Sequence, residues 1–153
     1  MLTLNYVLLF IITYLGLFAG TIISYFTKEE LKPGKKYFAY ARPVLFSIIF
    51  FAYLNFISLN LTISTIFSII AGIVYYMWGI KSNNYYSDLF AYSLFGIILF
   101  ETNITLIASL IFIFGLFTAS IYYKQKDKLL ENLSNIMKRN IVFFIVGILI
   151  ALF

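Results

Sequence analysis

The chain has 153 residues, of which 63% are hydrophobic and 11% charged, with a net charge of +5. That is less than half the roughly 25% charge of a soluble domain, and one water-soluble core could not hide so much apolar surface, so lipid is the expected solvent. Cys and His are both absent, which excludes disulfides and Cys- or His-based metal sites and removes the commonest general acid–base side chain.

Six apolar segments predict an all-α integral membrane bundle, arranged as three helical hairpins in a single domain covering residues 1–153. The expected spans are about 4–26, 37–58, 61–80, 85–100, 104–123 and 136–153. A helix rises about 1.5 Å per residue and needs about 20 apolar residues to cross hydrocarbon. The first span meets that length. It lacks a basic leader, so it is expected to be a retained helix rather than a cleaved signal. Gly16, Gly20 and Ser24 recur along it every four positions. Such small-residue stripes let helix backbones approach closely in lipid, within the bundle or between copies, and Gly16/Gly20 is the face expected to meet a second copy.

Next comes the densest charge in the chain, "TKEELKPGKKYF", residues 27–38. Thr27 and Glu30 have capping-box spacing, and Pro33-Gly34 signals a tight reversal. Lys28, Lys32, Lys35 and Lys36 are expected to contact anionic headgroups or a docking partner. Span two opens with Arg42-Pro43, with Pro at a first helical position where its missing N–H costs nothing. Span three carries a second small stripe, Ser64, Ser68 and Gly72. Span four starts with Asp88 at the depth of Arg42. Arg42 then either extends unpaired to the interface or pairs with Asp88. Glu101 and Asn103 belong to an outer turn, with Glu101 expected to be solvated.

Span five carries Gly115 and Ala119. After it, Leu129, Leu130, Leu133, Ile136 and Met137 recur with helical spacing, flanked by Lys124, Lys126, Lys128, Lys138 and Arg139. This reads as an amphipathic helix on an anionic membrane surface, contacting headgroups or a partner, and running into span six from Ile136. Small residues precede Tyr in "GLFAGTIISY" from Gly16, "AGIVYY" from Ala71 and "GLFTASIYY" from Gly115. This is either a threefold hairpin repeat or a by-product of short loops and biased composition.

With the N-terminus outside, all eleven basic residues fall on the cytoplasmic side. The positive-inside rule therefore predicts an N-out, C-out protein of the cell membrane. Tyr25, Tyr37, Tyr40, Tyr75, Tyr76, Trp78, Tyr85, Tyr86, Tyr122 and Tyr123 are expected to form an aromatic belt at that boundary. No charge is expected in the middle of a span. Residues 16–45, "EELKPGKKYF" after a small-residue span, resemble small archaeal polytopic membrane proteins. The resemblance implies an archaeal cell membrane and no activity.

The sequence carries no phosphate-binding Gly loop, acidic metal motif or nucleophile elbow, so no catalytic residue, metal or cofactor is expected. Expected partners are membrane lipids and a protein partner or second copy, not nucleic acid. The first functional reading is a non-catalytic subunit, scaffold or assembly factor. The second is a small oligomeric transporter or channel for a neutral solute or lipid, and the third an enzyme at the cytoplasmic interface.

Overall fold

In an apolar solvent each backbone N–H and C=O must be paired within its own segment, which favours helix for long apolar runs. The computed structural model describes residues 4–81, 85–102 and 104–152 and is all-α, with no strand among those residues. Its helices are α1 (Leu4–Phe26), α2 (Lys28–Phe56), α3 (Leu61–Lys81), α4 (Tyr85–Thr102), α5 (Thr105–Tyr122), α6 (Leu129–Arg139) and α7 (Val142–Leu152). Among the described residues, four stretches are long and apolar enough to cross a membrane: Asn5–Phe26, Lys28–Phe56, Leu61–Gly79 and Thr105–Tyr122. They indicate a membrane protein.

Side-chain pairings fix the helix directions. Gly16 and Gly20 of α1 sit against Phe112 and Leu116 of α5, and Ser24 donates to the Ser120 hydroxyl at 3.1 Å, so α1 and α5 run parallel. Lys35, Phe38 and Arg42 of α2 meet Tyr123, Phe117 and Phe114 in descending order, so α2 runs antiparallel to α5. Gly72 of α3 packs on Pro43 and Ser47, antiparallel to α2. Tyr92 and Gly96 of α4 meet Phe143 and Val146 of α7, a parallel pair. The helices thus alternate in direction, with α1, α3 and α5 opposed to α2, α4 and α7. Consecutive helices are not always partners, however. α5 seats against both α1 and α2, which touch each other little, and α7 packs on α4. The consecutive pair that packs closely is α2 with α3, which is not one of the three expected hairpins of spans one–two, three–four and five–six.

Three local expectations are corrected. Residues 27–38 do not form a loop with a reversal at Pro33-Gly34, because α2 runs through both Pro33 and Pro43. The break falls at Thr27 alone, whose hydroxyl donates to the Ile23 carbonyl (3.0 Å) rather than capping α2. Tertiary contacts hold the proline-bearing turns helical: Leu31 is buried, Lys35 Nζ caps the Tyr123 carbonyl at 2.6 Å, and Phe38 stacks on Phe117. Pro43 is consequently mid-helix and not at a first helical position.

Likewise, the sixth segment is not one helix over 136–153. The α6 ladder is interrupted at Asn140, whose side-chain amide donates to the Ile136 carbonyl at 2.8 Å. Tyr14 donates to the Met137 carbonyl at 3.0 Å. The Ile136 carbonyl keeps the Asn140 N–H at 3.3 Å as well, and the Ile141 N–H turns to the Lys138 carbonyl at 3.4 Å, so the ladder tightens to an i→i−3 bond where these side chains bind. α7 has 11 residues and reaches about 16 Å, about half the hydrocarbon thickness.

The turn between α2 and α3 is tight. Ser58 adopts φ 62°, and the Leu59 N–H closes on the Leu54 carbonyl at 3.2 Å, as in a Schellman ending. Asn60 then caps α3 by accepting the Thr62 N–H at 2.9 Å. The core is largely aromatic. Phe95 and Phe114 meet edge-on at 5.0 Å, Phe10 stacks on Phe143 at 4.4 Å, and Phe46 stacks on Tyr75 at 4.7 Å.

Candidate functional site

The most polar place inside the bundle is built by side chains from separate helices. Arg42 stands on α2 with fourteen residues on either side of it, Tyr75 is near the end of α3, Asp88 lies in the first turn of α4, and Tyr122 closes α5. Arg42 and Asp88 are 2% and 1% exposed, and the Arg42 Nη2 group pairs with Asp88 Oδ1. The same Nη2 donates to the Tyr75 hydroxyl, which donates to Asp88 Oδ1 at 2.9 Å. Tyr122 donates to Asp88 Oδ2, so both carboxylate oxygens are occupied. The Arg42 guanidinium carbon lies 5.4 Å from the Phe114 ring centre, and Arg139 of α6 lies 3.7 Å above the Tyr122 ring.

A charge taken out of water is costly unless an opposite charge and hydrogen bonds compensate it. Here Asp88 neutralises Arg42, and two phenols complete the carboxylate shell. Pro43 is not a helix start: α2 continues back to Lys28 and Arg42 stands at its centre, while Asp88 in the first turn of α4 and Tyr122 at the end of α5 set the cluster near the ends of those helices. Of the two alternatives for Arg42, the structure has it paired.

The phenol partners were missed in the sequence, where Tyr75 and Tyr122 were assigned to the interfacial belt. Tyr75 and Tyr123 are buried, whereas Tyr37 and Tyr40 are exposed. A usable signal was available. Tyr75 lies six residues before the end of α3 and Asp88 three after the start of α4, which puts them within about one helical turn in depth on antiparallel neighbours, inside the reach of a tyrosine side chain.

The remaining sequence candidates are spread over the same end of the bundle. Lys28 lies over the Tyr25 ring at 3.9 Å, and Lys36 faces Tyr37. Lys32 borders an open hollow with Lys28, Glu29 and Gln125. Lys124, Lys126, Lys128 and Lys138 are exposed, and Arg139 is half-buried. The α5–α6 connection is held by Asn132, which accepts the Lys124 N–H and donates to the Lys124 carbonyl, both at 2.8 Å.

The small residues lie in helix contacts. A Cβ added at Gly20 would fall 2.6 Å from the Leu116 carbonyl oxygen and 2.8 Å from Ala119 Cβ, and Gly115 abuts the Gly16 backbone. This face is filled by α5 of the same chain, which corrects the assignment of Gly16/Gly20 to a contact between copies. Ser64 and Ser68 are buried on α3, and Gly72 meets Ser47. Glu101 is the last residue but one of α4 rather than a loop residue, and it accepts the Tyr53 hydroxyl. Asn103 lies outside the described residues.

Two hollows flank the buried cluster. An apolar groove of about 380 Å³ opens between α2, α3 and α4, lined by Phe46, Phe67, Val74, Tyr75, Trp78 and Phe90 among others. A smaller polar pocket of about 160 Å³ lies at the α5–α6 connection, with Tyr122 and Arg139 in its wall. Comparison with protein-family models, curated proteins and solved structures found no match to this chain.

Proposed function

We propose that this chain is a six-pass protein of the cell membrane, with both termini outside, that serves as a non-catalytic subunit, scaffold or assembly factor of a membrane complex. α1 to α5 make five crossings, and the interrupted α6–α7 pair makes the sixth. The alternation of helix directions supports this path, as does the gathering of all eleven basic residues at one end.

The observation that carries the non-catalytic reading is the closure of the buried polar cluster. Asp88 has both oxygens bound by Arg42, Tyr75 and Tyr122, so the group best suited to acid–base or ion-coupling work is held in a structural tie. Such a tie pins α2, α3, α4 and α5 together at one depth and gives a rigid body for a partner to grip. Native mass spectrometry after gentle extraction from the source membrane tests this. A second protein at fixed stoichiometry is the expected result; its absence, with solute or lipid flux through liposomes holding this chain alone, overturns it.

A second reading, a transporter for a neutral solute or lipid, is favoured by one feature, the apolar groove between α2, α3 and α4 with Tyr75 in its wall.

A further inference from the structure

The small pocket at the end of α5 combines features that the buried tie does not explain. Tyr122, Lys124, Asp127, Asn135 and Arg139 line it. It begins where a helix long enough to cross a membrane ends, which is headgroup depth. Its far wall is α6, whose apolar side packs on the bundle through buried Ile136. Residues 124–139 carry five basic side chains against two acidic ones. The volume, about 160 Å³, is well below the roughly 300–1,000 Å³ of pockets for drug-sized molecules. It suits one compact anionic group rather than a nucleotide.

Arg139 is the residue to expect at such a place. Its guanidinium carbon lies 3.7 Å from the Tyr122 ring centre. A guanidinium beside a ring can offer two N–H groups to two oxygens of a tetrahedral anion, while Lys124 adds a mobile point charge to the same pocket. Asn132 ties both the N–H and the carbonyl of Lys124, so the backbone carrying that lysine is held even though its ammonium is exposed. We infer that this pocket binds a phosphate group, carried by a lipid headgroup or free in solution, with Arg139 and Lys124 as its charged ligands. Through the Tyr122 ring, the bound anion would sit one side chain away from Asp88.

The inference rests on the membrane placement proposed above for the lipid source only. Binding in detergent does not depend on which side of the membrane the pocket faces, so a wrong orientation and an empty pocket give different results. The test is native mass spectrometry of the purified full chain with added phosphatidic acid, phosphatidylcholine or inorganic phosphate. Phosphatidic acid retained over phosphatidylcholine supports the lipid source, and retention of inorganic phosphate alone supports the soluble source. In either case K124Q should weaken binding about fivefold and R139Q tenfold or more, whereas T65A and S109A, exposed positions toward the opposite end of the bundle, should leave it unchanged. K124Q changes an exposed side chain, so it reports on binding even if R139Q unfolds the α6 contact. Equal retention of all three additives, or equal loss from the control variants, overturns the assignment.

Discussion

Replacing Asp88 by Leu removes the carboxylate paired with Arg42, and the structure sets the consequence. Arg42 is 2% exposed, at the centre of α2, and faces the Phe114 ring and two phenols. Its remaining partners are neutral oxygens. Breaking a buried pair in this way costs about 3–5 kcal/mol, because the surviving charge stays buried. Arg42→Met leaves Asp88 with hydrogen bonds from Tyr75 and Tyr122. Each bond to a charged group is worth about 1.5–3 kcal/mol, so this variant should lose less than Asp88→Leu. Replacing both residues removes both charges and should fall within about 2 kcal/mol of the original protein or exceed it. The assay is reversible unfolding in mixed micelles, followed by circular dichroism, on all four proteins of the cycle. The two single losses should exceed the double loss by several kcal/mol. Additive losses, with a coupling below about 0.5 kcal/mol, would refute the buried pair.

Other substitutions test individual features. Gly20→Leu forces a side chain against the α5 backbone and should destabilise by about 3 kcal/mol or more, lowering the melting temperature without changing the native mass, because the contact is internal. Pro33 is exposed and inside α2, so Pro33→Ala should raise stability, by up to about 3 kcal/mol in denaturant titration; a loss would restore the reversal at Pro33-Gly34. Ser58 holds a left-handed conformation, so Ser58→Gly should gain about 1 kcal/mol in the same titration.

The helices themselves were largely legible. Apolar length alone places α1 at Leu4–Phe26 and α3 at Leu61–Lys81, close to the expected 4–26 and 61–80, because in lipid a long apolar run has few alternatives to helix. The small-residue stripes were legible as packing faces for the same reason. What sequence reasoning lost were features decided by distant contacts. A Pro-Gly pair is a local turn signal, and it was overridden by Leu31, Lys35 and Phe38 gripping the rest of the bundle. Asn140 reads as one polar residue at the edge of a span, yet the helix is interrupted there, where Asn140 binds the Ile136 carbonyl and Tyr14 reaches Met137. The buried site was half visible. Arg42 and Asp88 stood out as ionisable residues near a boundary, while Tyr75 and Tyr122 were hidden among thirteen tyrosines, most with the same apparent role.

The alternating path through the membrane is the claim on which the account turns, and cysteine accessibility in intact cells tests it most directly. The chain has no native cysteine, so single Cys substitutions at Asn60, Gly34 and Lys126 report without background. The account predicts that an impermeant maleimide labels the Asn60 position from outside, and the Gly34 and Lys126 positions only after the cells are opened. Labelling of Gly34 or Lys126 in intact cells, with Asn60 protected, would contradict it.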